Sequence, residues 1–241
     1  MYNYGWKYGE KYSGWRSQEG VSVHFITKTE NYAKKCYENR LPHNPVLIQT
    51  DEKNEMLRVL GMGEKMIDTK EKLKHCLKIE KNIYFPEGGV RLPFGIREKD
   101  VLYGYIYNLR NTEYHFNTRH KLRYAFYKFH LYRMSNLYAI HIGMNVCDEG
   151  LSIAHVGPII IHGRSKIGKN LRVHVGVNIG ANGGEPPVLG DNIYIGPGAK
   201  IFGDIKIASG CRIGANAVVC KNCEEENSTL VGVPAKNVTD L

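Results

Sequence analysis

The sequence has no long apolar run. The strongly apolar stretches, such as residues 158–161, are far shorter than the roughly 20 residues of a membrane-spanning helix. The opening residues, MYNYGWKYGEK, contain basic side chains but no apolar segment behind them, so a secretory leader is not expected. We therefore expect the protein to act in the cytoplasm, with the inner face of the membrane as a further location.

Cysteine is sparse and scattered, with six residues in 241. Without a secretory leader, such a set is typical of reduced thiols and not of a disulfide framework. Cys220 and Cys223 form a single CxxC pair, but no second pair of ligands follows at the spacing that a zinc site needs. The sequence therefore predicts no metal centre.

Acidic residues are outnumbered, and the formal net charge is +9. A basic chain favours an anionic partner. Nucleic acid, a membrane surface, an acidic polysaccharide and coenzyme A all have this property, and charge alone does not choose among them.

The second half of the chain contains an internal repeat. Such a repeat outweighs local secondary-structure propensity as evidence for the fold. Aliphatic residues recur at every sixth position, at Leu189, Ile195, Ile201, Ile207, Ile213 and Val219. Glycine or alanine follows most of them within two residues, and we expect these small residues to let the backbone turn corners.

The same spacing continues upstream, at Ile161, Ile167, Val173 and Ile179, with Ile153 and Ile159 two residues out of register. Residues 181–187 interrupt the repeat and are expected to form a loop extruded from it. A period of six is typical of a prism-shaped parallel β-helix, in which three sides make one coil and the aliphatic side chains point inward. Residues 140–219 provide roughly four such coils.

Handedness does not follow from the period, because parallel crossovers are usually right-handed. The stretch from His141 to Lys236 resembles the left-handed β-helix acyltransferases, and within them the serine acetyltransferase branch. The matching segments are GLSIAH (150–155), IGPGAKIFGDI (195–205), IGANAVV (213–219) and VGVPAK (231–236). The resemblance implies a mainly β chain with a left-handed β-helix, acetyl-CoA as co-substrate, and a homotrimer whose active sites lie in grooves between neighbouring β-helices.

Three domains are predicted. Residues 1–137 form a mostly helical, basic and aromatic-rich region, residues 138–222 the β-helix, and residues 223–241 an extension that contacts CoA. Apolar spacing predicts helix over residues 52–82, and Asp100 is a candidate N-cap for a later helix. The first 30 residues, rich in aromatics, receive no assignment.

Residues 119–134 are predicted to form a basic, aromatic helix. The favoured interpretation is a trimer-packing helix with a solvated basic face. Contact with a membrane surface or a lipid-linked acceptor is one alternative. Nucleic acid is a weaker one, because no recognition module accompanies the helix and we expect no nucleic-acid partner.

Transfer of an acetyl group to a hydroxyl needs a base for the hydroxyl proton, and histidine suits this role near neutral pH. His155 follows the inward Ile153 by two residues, so its side chain is expected to point outward. It also matches the catalytic histidine of the family motif. We therefore predict that His155 is the general base, against the alternative of an interface histidine with a structural role.

Four further residues are candidates around His155. His174 is expected to lie about one coil away and is a candidate for binding the acceptor, with a packing role as the alternative. By resemblance, His141 matches another histidine near the family's site. Asp148 and Glu149 are candidates for the carboxylate that orients His155.

By resemblance, the pantetheine arm of acetyl-CoA would pass Ala181, Pro197 and Ala215 in successive coils. Pro197 has no N–H, so its coil offers only a carbonyl there. The phosphates of CoA would meet basic residues near the carboxyl end, with candidates Arg212, Lys221 and Lys236. Solvated surface charge is the alternative for each of the three.

The chain departs from serine acetyltransferases where those enzymes bind serine. Ala139 and Ala154 stand where the family has aspartates, and the extruded loop ends in Glu185-Pro186-Pro187 where the family has an Arg-His pair. A zwitterionic amino acid needs a cation for its carboxylate and an anion for its ammonium. We therefore predict a sugar hydroxyl of a capsular or other cell-surface polysaccharide as acceptor, with serine and a non-catalytic scaffold as alternatives.

Overall fold

The computed structural model describes residues 66–90, 92 and 97–239, together with the backbone of three strands near the amino terminus. The chain divides into two compact units, residues 1–63 and 64–241. In the first unit, β1 (Tyr2–Lys7), β2 (Glu10–Arg16) and β3 (Ser22–Phe25) form an antiparallel sheet in that order. This sheet had no counterpart in the predictions. Residues 52–65 of the predicted helical segment lie outside the described residues.

Three helices precede the repeat in the second unit: α1 (Lys70–Tyr84), α2 (Glu98–Asn117) and α3 (Lys121–Tyr138). The predicted helical pattern is confirmed in α1, and the predicted basic helix is confirmed as α3. Asp100 is the third residue of α2 and not its N-cap. Its carboxylate accepts the backbone N–H of Arg97 at 3.1 Å, so it still caps the helix start. Within the described residues, no helix is long and apolar enough to cross a membrane.

The predicted prism is confirmed, and its sides are three parallel sheets. The first face contains β4 (Ile140–Ile142), β6 (Ile159–Ile161), β9 (Asn178–Gly180), β12 (Lys200–Phe202) and β15 (Val218–Val219). The second face contains β5 (Ser152–Ile153), β8 (Arg172–Val173), β11 (Tyr194–Ile195), β14 (Arg212–Ile213) and β16 (Thr229–Gly232), with β17 (Ala235–Asn237) antiparallel to β16. The third face contains β7 (Lys166–Ile167), β10 (Val188–Leu189) and β13 (Lys206–Ile207), extended by single bridges at Cys147 and Cys223.

The β-helix has about five turns, one more than predicted. The additional strand rungs come from Cys147 and Cys223, which carry no aliphatic side chain, and from β16, which lies beyond the counted repeat. The predicted loop at 181–187 is confirmed between β9 and β10.

The aliphatic positions at every sixth residue are buried as predicted and stack along the prism axis. A second buried set, also with period six, lies beside them: Ile193, Ala199, Ile205, Cys211 and Ala217. Burial raises the pKa of the Cys211 thiol to about 11, so this side chain stays protonated and packs as a small apolar group. Cys223 is also buried in the core, so packing accounts for one of the two cysteines of the CxxC pair. Among the described residues, no group of His, Cys, Asp and Glu side chains is arranged to hold a metal.

The small residues after the aliphatic positions have a different role from the predicted one. An added Cβ at Gly190 would lie 2.7 Å from the backbone nitrogen of Ser209, and one at Gly196 would lie 2.8 Å from that of Ala215. These glycines therefore permit close approach between successive turns. The left-handed corner conformation occurs elsewhere, for example at Asn170, with φ of 58°.

The helices join the first turn of the prism through Glu80, Arg110 and Glu113, which we call the junction. The Arg110 side chain is only 2 % exposed and lies 2.7 Å from a Glu80 oxygen and 3.0 Å from a Glu113 oxygen. Its guanidinium also donates to the carbonyl oxygens of Cys147 and Asp148, at 2.8 and 2.6 Å. Burial alone would lower the pKa of Arg110, but the two carboxylates raise it well above its usual value, so the cation persists.

Candidate active site

His155 lies at the edge between the second and first faces, directly after β5. The register places Ile153 opposite Val173 and Ile160 opposite Asn178, so this corner contains two residues more than the next one. The two-residue shift in the repeat therefore coincides with the turn that carries His155. The longer turn projects the imidazole outward, and its side chain is 61 % exposed.

A carboxylate from α2 meets this turn. Glu98, the first residue of α2, places Oε2 3.4 Å from His155 Nδ1. Its other oxygen accepts the backbone N–H of Val156 at 2.8 Å. One carboxylate thus holds the turn and faces the imidazole.

Tyr84, the last residue of α1, fixes the strand before this turn. Its hydroxyl accepts the N–H of Ile153 at 2.7 Å and donates to the carbonyl oxygen of the same residue at 2.9 Å. β5 is the edge strand of the second face, so Tyr84 takes the place of a neighbouring strand there. Burial raises the pKa of Tyr84, which keeps the hydroxyl protonated and able to donate.

His174 comes close to His155, as the sequence predicted for a residue in the next turn. Their ring centroids are 6.1 Å apart, and the His174 ring contacts Tyr194 edge-on at 5.2 Å. Its Nε2 atom is buried and has no hydrogen-bond partner among the described residues. Burial lowers the pKa of His174, and the charges of Arg172 and His155 lower it further, so the ring stays neutral near pH 7.

The two carboxylates suggested by the sequence lie elsewhere. Glu149 is 2.9 Å from Lys169 Nζ and 3.3 Å from His75 Nε2. Asp148 accepts the backbone N–H of Glu149 at 2.9 Å. The structure thus brings Glu98 to His155 in their place.

His141 lies on β4, paired opposite Ile160, and its side chain points outward from the first face. It is thus on the face that follows the His155 turn.

The residues suggested for the CoA arm divide between two edges of the prism. Pro197 follows β11 and Ala215 follows β14, so both lie at the same edge as His155. Ala181 follows β9 and lies at the next edge, between the first and third faces. The carbonyl oxygen of Pro197 accepts the N–H of Asn216 at 2.9 Å, so it is already used in the stacking of turns.

The three basic residues suggested for the CoA phosphates also lie apart. Arg212 is on the second face, with its guanidinium carbon 4.9 Å from the centre of the Tyr194 ring. Lys236 is on β17 at the carboxyl end of the same face. Lys221 lies between β15 and the Cys223 bridge, at the edge that carries Ala181. All three side chains are exposed.

Sequence reasoning missed Glu98 and Tyr84. Glu98 is 57 residues before His155 and Tyr84 is 69 residues before Ile153. Neither belongs to the repeat, and only the docking of α1 and α2 on the first turn brings them to it.

Comparison with known proteins supports the same fold. Residues 186–221 match the bacterial transferase hexapeptide family, described as six repeats. A serine acetyltransferase of Staphylococcus aureus (strain Mu50 / ATCC 700699) is 39% identical over 99 residues, which are 39% of this chain and 46% of the relative. The chain therefore spans less than half the length of this curated relative.

Two solved structures are similar to a larger part of the chain. Neisseria gonorrhoeae serine acetyltransferase is 26% identical, with a TM-score of 0.52, and the match covers 70% of this chain and 68% of that one. A serine acetyltransferase in complex with CoA is 22% identical, with a TM-score of 0.52, covering 70% and 71%. The β-helix of this chain therefore contains hexapeptide repeats, and its fold is similar to the left-handed β-helix of serine acetyltransferases.

Proposed function

We propose that this chain is an acetyl-CoA-dependent O-acetyltransferase in which His155 is the general base. The observation that carries the proposal is an outward-facing imidazole at an edge of a left-handed β-helix, with a carboxylate 3.4 Å from its Nδ1 atom. The similar proteins are named serine acetyltransferases, and one of them is described in complex with CoA.

In the proposed reaction, His155 Nε2 takes the proton of the acceptor hydroxyl while the hydroxyl oxygen attacks the thioester carbonyl. The C–S bond then breaks, and the imidazolium returns the proton to the CoA thiolate. The products are an acetyl ester and free CoA. Glu98 orients the ring through Nδ1 and stabilises the imidazolium while it exists.

The proposed path for the pantetheine arm follows the edge shared by His155, Pro197 and Ala215. Ala181 lies at a different edge of the same prism. In a homotrimer of prisms, an edge of one subunit faces an edge of the next, so a groove between subunits would bring both sets together. The proposed path therefore requires a trimer, and sedimentation or light scattering tests the oligomeric state directly.

Serine is the acceptor that the comparisons favour, because the similar proteins are named for it. The sugar hydroxyl predicted from the sequence finds no support there. It stays a second candidate on one observation: Glu185, beside the two prolines that end the loop, pairs with Arg164 at 3.0 Å. The loop thus presents neither of the groups that bind serine in the resembling enzymes.

A thiol-release assay separates the two acceptors. Acetyl-CoA is supplied with L-serine in one series and with purified capsular oligosaccharides in the other. Rapid CoA release with serine supports the first candidate, and release only with oligosaccharide supports the second. Absence of acceptor-dependent release in both series, from a protein that binds CoA, would contradict the proposed enzyme.

A further inference from the structure

The outward side chains of the second face form a row across four strands. The register aligns Ser152, Arg172, Tyr194 and Arg212 on β5, β8, β11 and β14. Neighbouring strands are about 4.8 Å apart, so the two arginines flank Tyr194 on either side. We call these four residues the outer row.

Among the described residues, the cations of the outer row have no carboxylate partner. Arg172 donates from Nη1 to the hydroxyl of Ser152 at 3.2 Å, and Arg212 lies over the ring of Tyr194. No ion pair of either arginine is found within residues 66–90 and 97–239.

Some other arginines of the same unit are paired, although Arg119, Arg123 and Arg133, like the two of the outer row, form no ion pair within the described residues. Arg97, Arg110 and Arg164 each lie within 3.0 Å of a carboxylate oxygen. A guanidinium offers a fork of donors that matches a carboxylate. The outer row is therefore suited to an anion from outside the chain.

The outer row adjoins the proposed reaction centre. His174 follows Arg172 by two residues on the same strand path, so both side chains point outward. The His174 ring contacts both Tyr194 and the ring of His155. Arg172 is on β8, directly beside the strand that leads to His155, whereas Arg212 is two strands further along.

We propose that Arg172 and Tyr194 form a carboxylate-binding subsite for the acceptor, so that the substrate carries a carboxylate near its reacting hydroxyl. The proposal rests on the proposed function for the identity of the ligand as acceptor. Arg172 binds the carboxylate through its guanidinium, and the Tyr194 ring packs against the carbon skeleton. Free serine and an acidic sugar such as a uronic acid both have this chemistry, and a neutral sugar does not.

Calorimetric titration without acetyl-CoA tests the subsite independently of turnover. The probes are L-serine, D-glucuronate and the uncharged D-glucose, at constant ionic strength. We expect at least one carboxylate probe to bind the wild type, and to bind more tightly than glucose. Arg172→Gln keeps a donor for Ser152 but removes the charge, and should weaken that binding by about 10- to 100-fold. The carboxylate probe that binds tells an amino-acid acceptor from an acidic sugar.

Lys206→Gln is the matched control, because Lys206 is an exposed cation on the third face. It should bind all three probes as the wild type does. The subsite is overturned if Arg172→Gln binds the carboxylate as tightly as the wild type, if Lys206→Gln weakens it equally, or if neither carboxylate outcompetes glucose. A larger KM for acetyl-CoA with an unchanged acceptor KM would also overturn it, since Arg172 would then belong to the CoA site.

The two proposals fail separately. A protein that binds glucuronate or serine through Arg172, yet releases no thiol from acetyl-CoA with any acceptor, contradicts the enzyme and keeps the binding site. A protein that acetylates an acceptor equally well with and without Arg172 contradicts the subsite alone.

Discussion

The junction and the outer row both place arginines against the same β-helix, and they use them in opposite ways. In the junction, Arg110 is buried and every hydrogen-bonding direction meets a carboxylate or a carbonyl. In the outer row, Arg172 and Arg212 are exposed, and within the part of the chain that the structure describes their guanidinium groups meet only a hydroxyl and an aromatic ring.

The difference separates stability from binding. A buried charge must be paired within the fold, because removing it from water is costly. An exposed charge has no such requirement, so one that stays without a carboxylate beside a reactive imidazole is available to a ligand. Changes in the junction should therefore alter folding, and changes near the outer row should alter activity.

The largest effect is expected at His155. Removal of a general base lowers the rate by roughly 10²–10⁴. His155→Ala should lower kcat/KM by that factor in the thiol-release assay. Its melting temperature should stay close to that of the wild type, because the side chain is exposed.

His75→Ala is the matched control, since it removes a similarly exposed imidazole that pairs with Glu149 and not with the His155 turn. A His155→Ala protein that keeps full activity would remove this residue from the mechanism. It would also show that an exposed imidazole at an edge of the prism does not by itself identify an active site.

Arg110→Met should have the next largest effect, on stability. Methionine replaces the apolar stem but leaves Glu80 and Glu113 buried without their cation, and breaking a buried pair in this way costs about 3–5 kcal/mol. Denaturant unfolding should show this loss in the free energy of unfolding. Arg164→Met, which breaks an exposed pair, should cost less than about 1 kcal/mol. Equal losses in the two variants would contradict the contrast between the regions.

The repeat and the junction also differ in how far the sequence predicts them. The period of six is a local pattern, so the prism, its inward column and the extruded loop could all be derived before the structure. The fifth turn could not, because Cys147 and Cys223 complete it without an aliphatic side chain. The second buried set was missed for the same reason, since alanine or cysteine occupies three of its five positions.

The site was predictable only as far as it belongs to the repeat. His155, His174, Pro197 and Ala215 follow inward positions, so their outward direction could be inferred. Glu98 comes from a helix whose docking depends on buried pairs that no short-range pattern reveals. The nearby acidic residues suggested in its place are close in sequence to His155, but they lie before β5, where Glu149 pairs with Lys169 and the Asp148 carboxylate accepts a backbone N–H.

Glu98→Gln should have a smaller effect, on activity alone. The amide oxygen of glutamine still accepts the N–H of Val156, but the charge that faces His155 is lost. Because the contact is long and exposed, we expect a loss in kcat of about 10-fold, equivalent to about 1.4 kcal/mol. The KM for acetyl-CoA and the melting temperature should not change. Glu98→Ala, which also loses the backbone bond, should be slower still, and restored kcat in Glu98→Asp would support a positioning role over a structural one.

The smallest effect is expected at Asp100, which shares the first turn of α2 with Glu98. Hydrogen bonds from the Arg97 guanidinium hold the pKa of Asp100 well below its usual value, and backbone N–H groups of Leu92 and Arg97 lower it further. A carboxyl whose pKa is lowered by folding stabilises the fold at neutral pH. That stabilisation is lost as pH falls below about 4, the range in which the unfolded carboxyl takes up its proton.

Asp100→Asn should therefore be slightly less stable than the wild type at neutral pH. The difference in the free energy of unfolding should shrink on acidification, and kcat should stay unchanged throughout. Unfolding curves at several pH values measure this. If Asp100→Asn lowered kcat as Glu98→Gln does, the two carboxylates of this helical turn would act together. That result would contradict the assignment of Asp100 to stability and of Glu98 to activity.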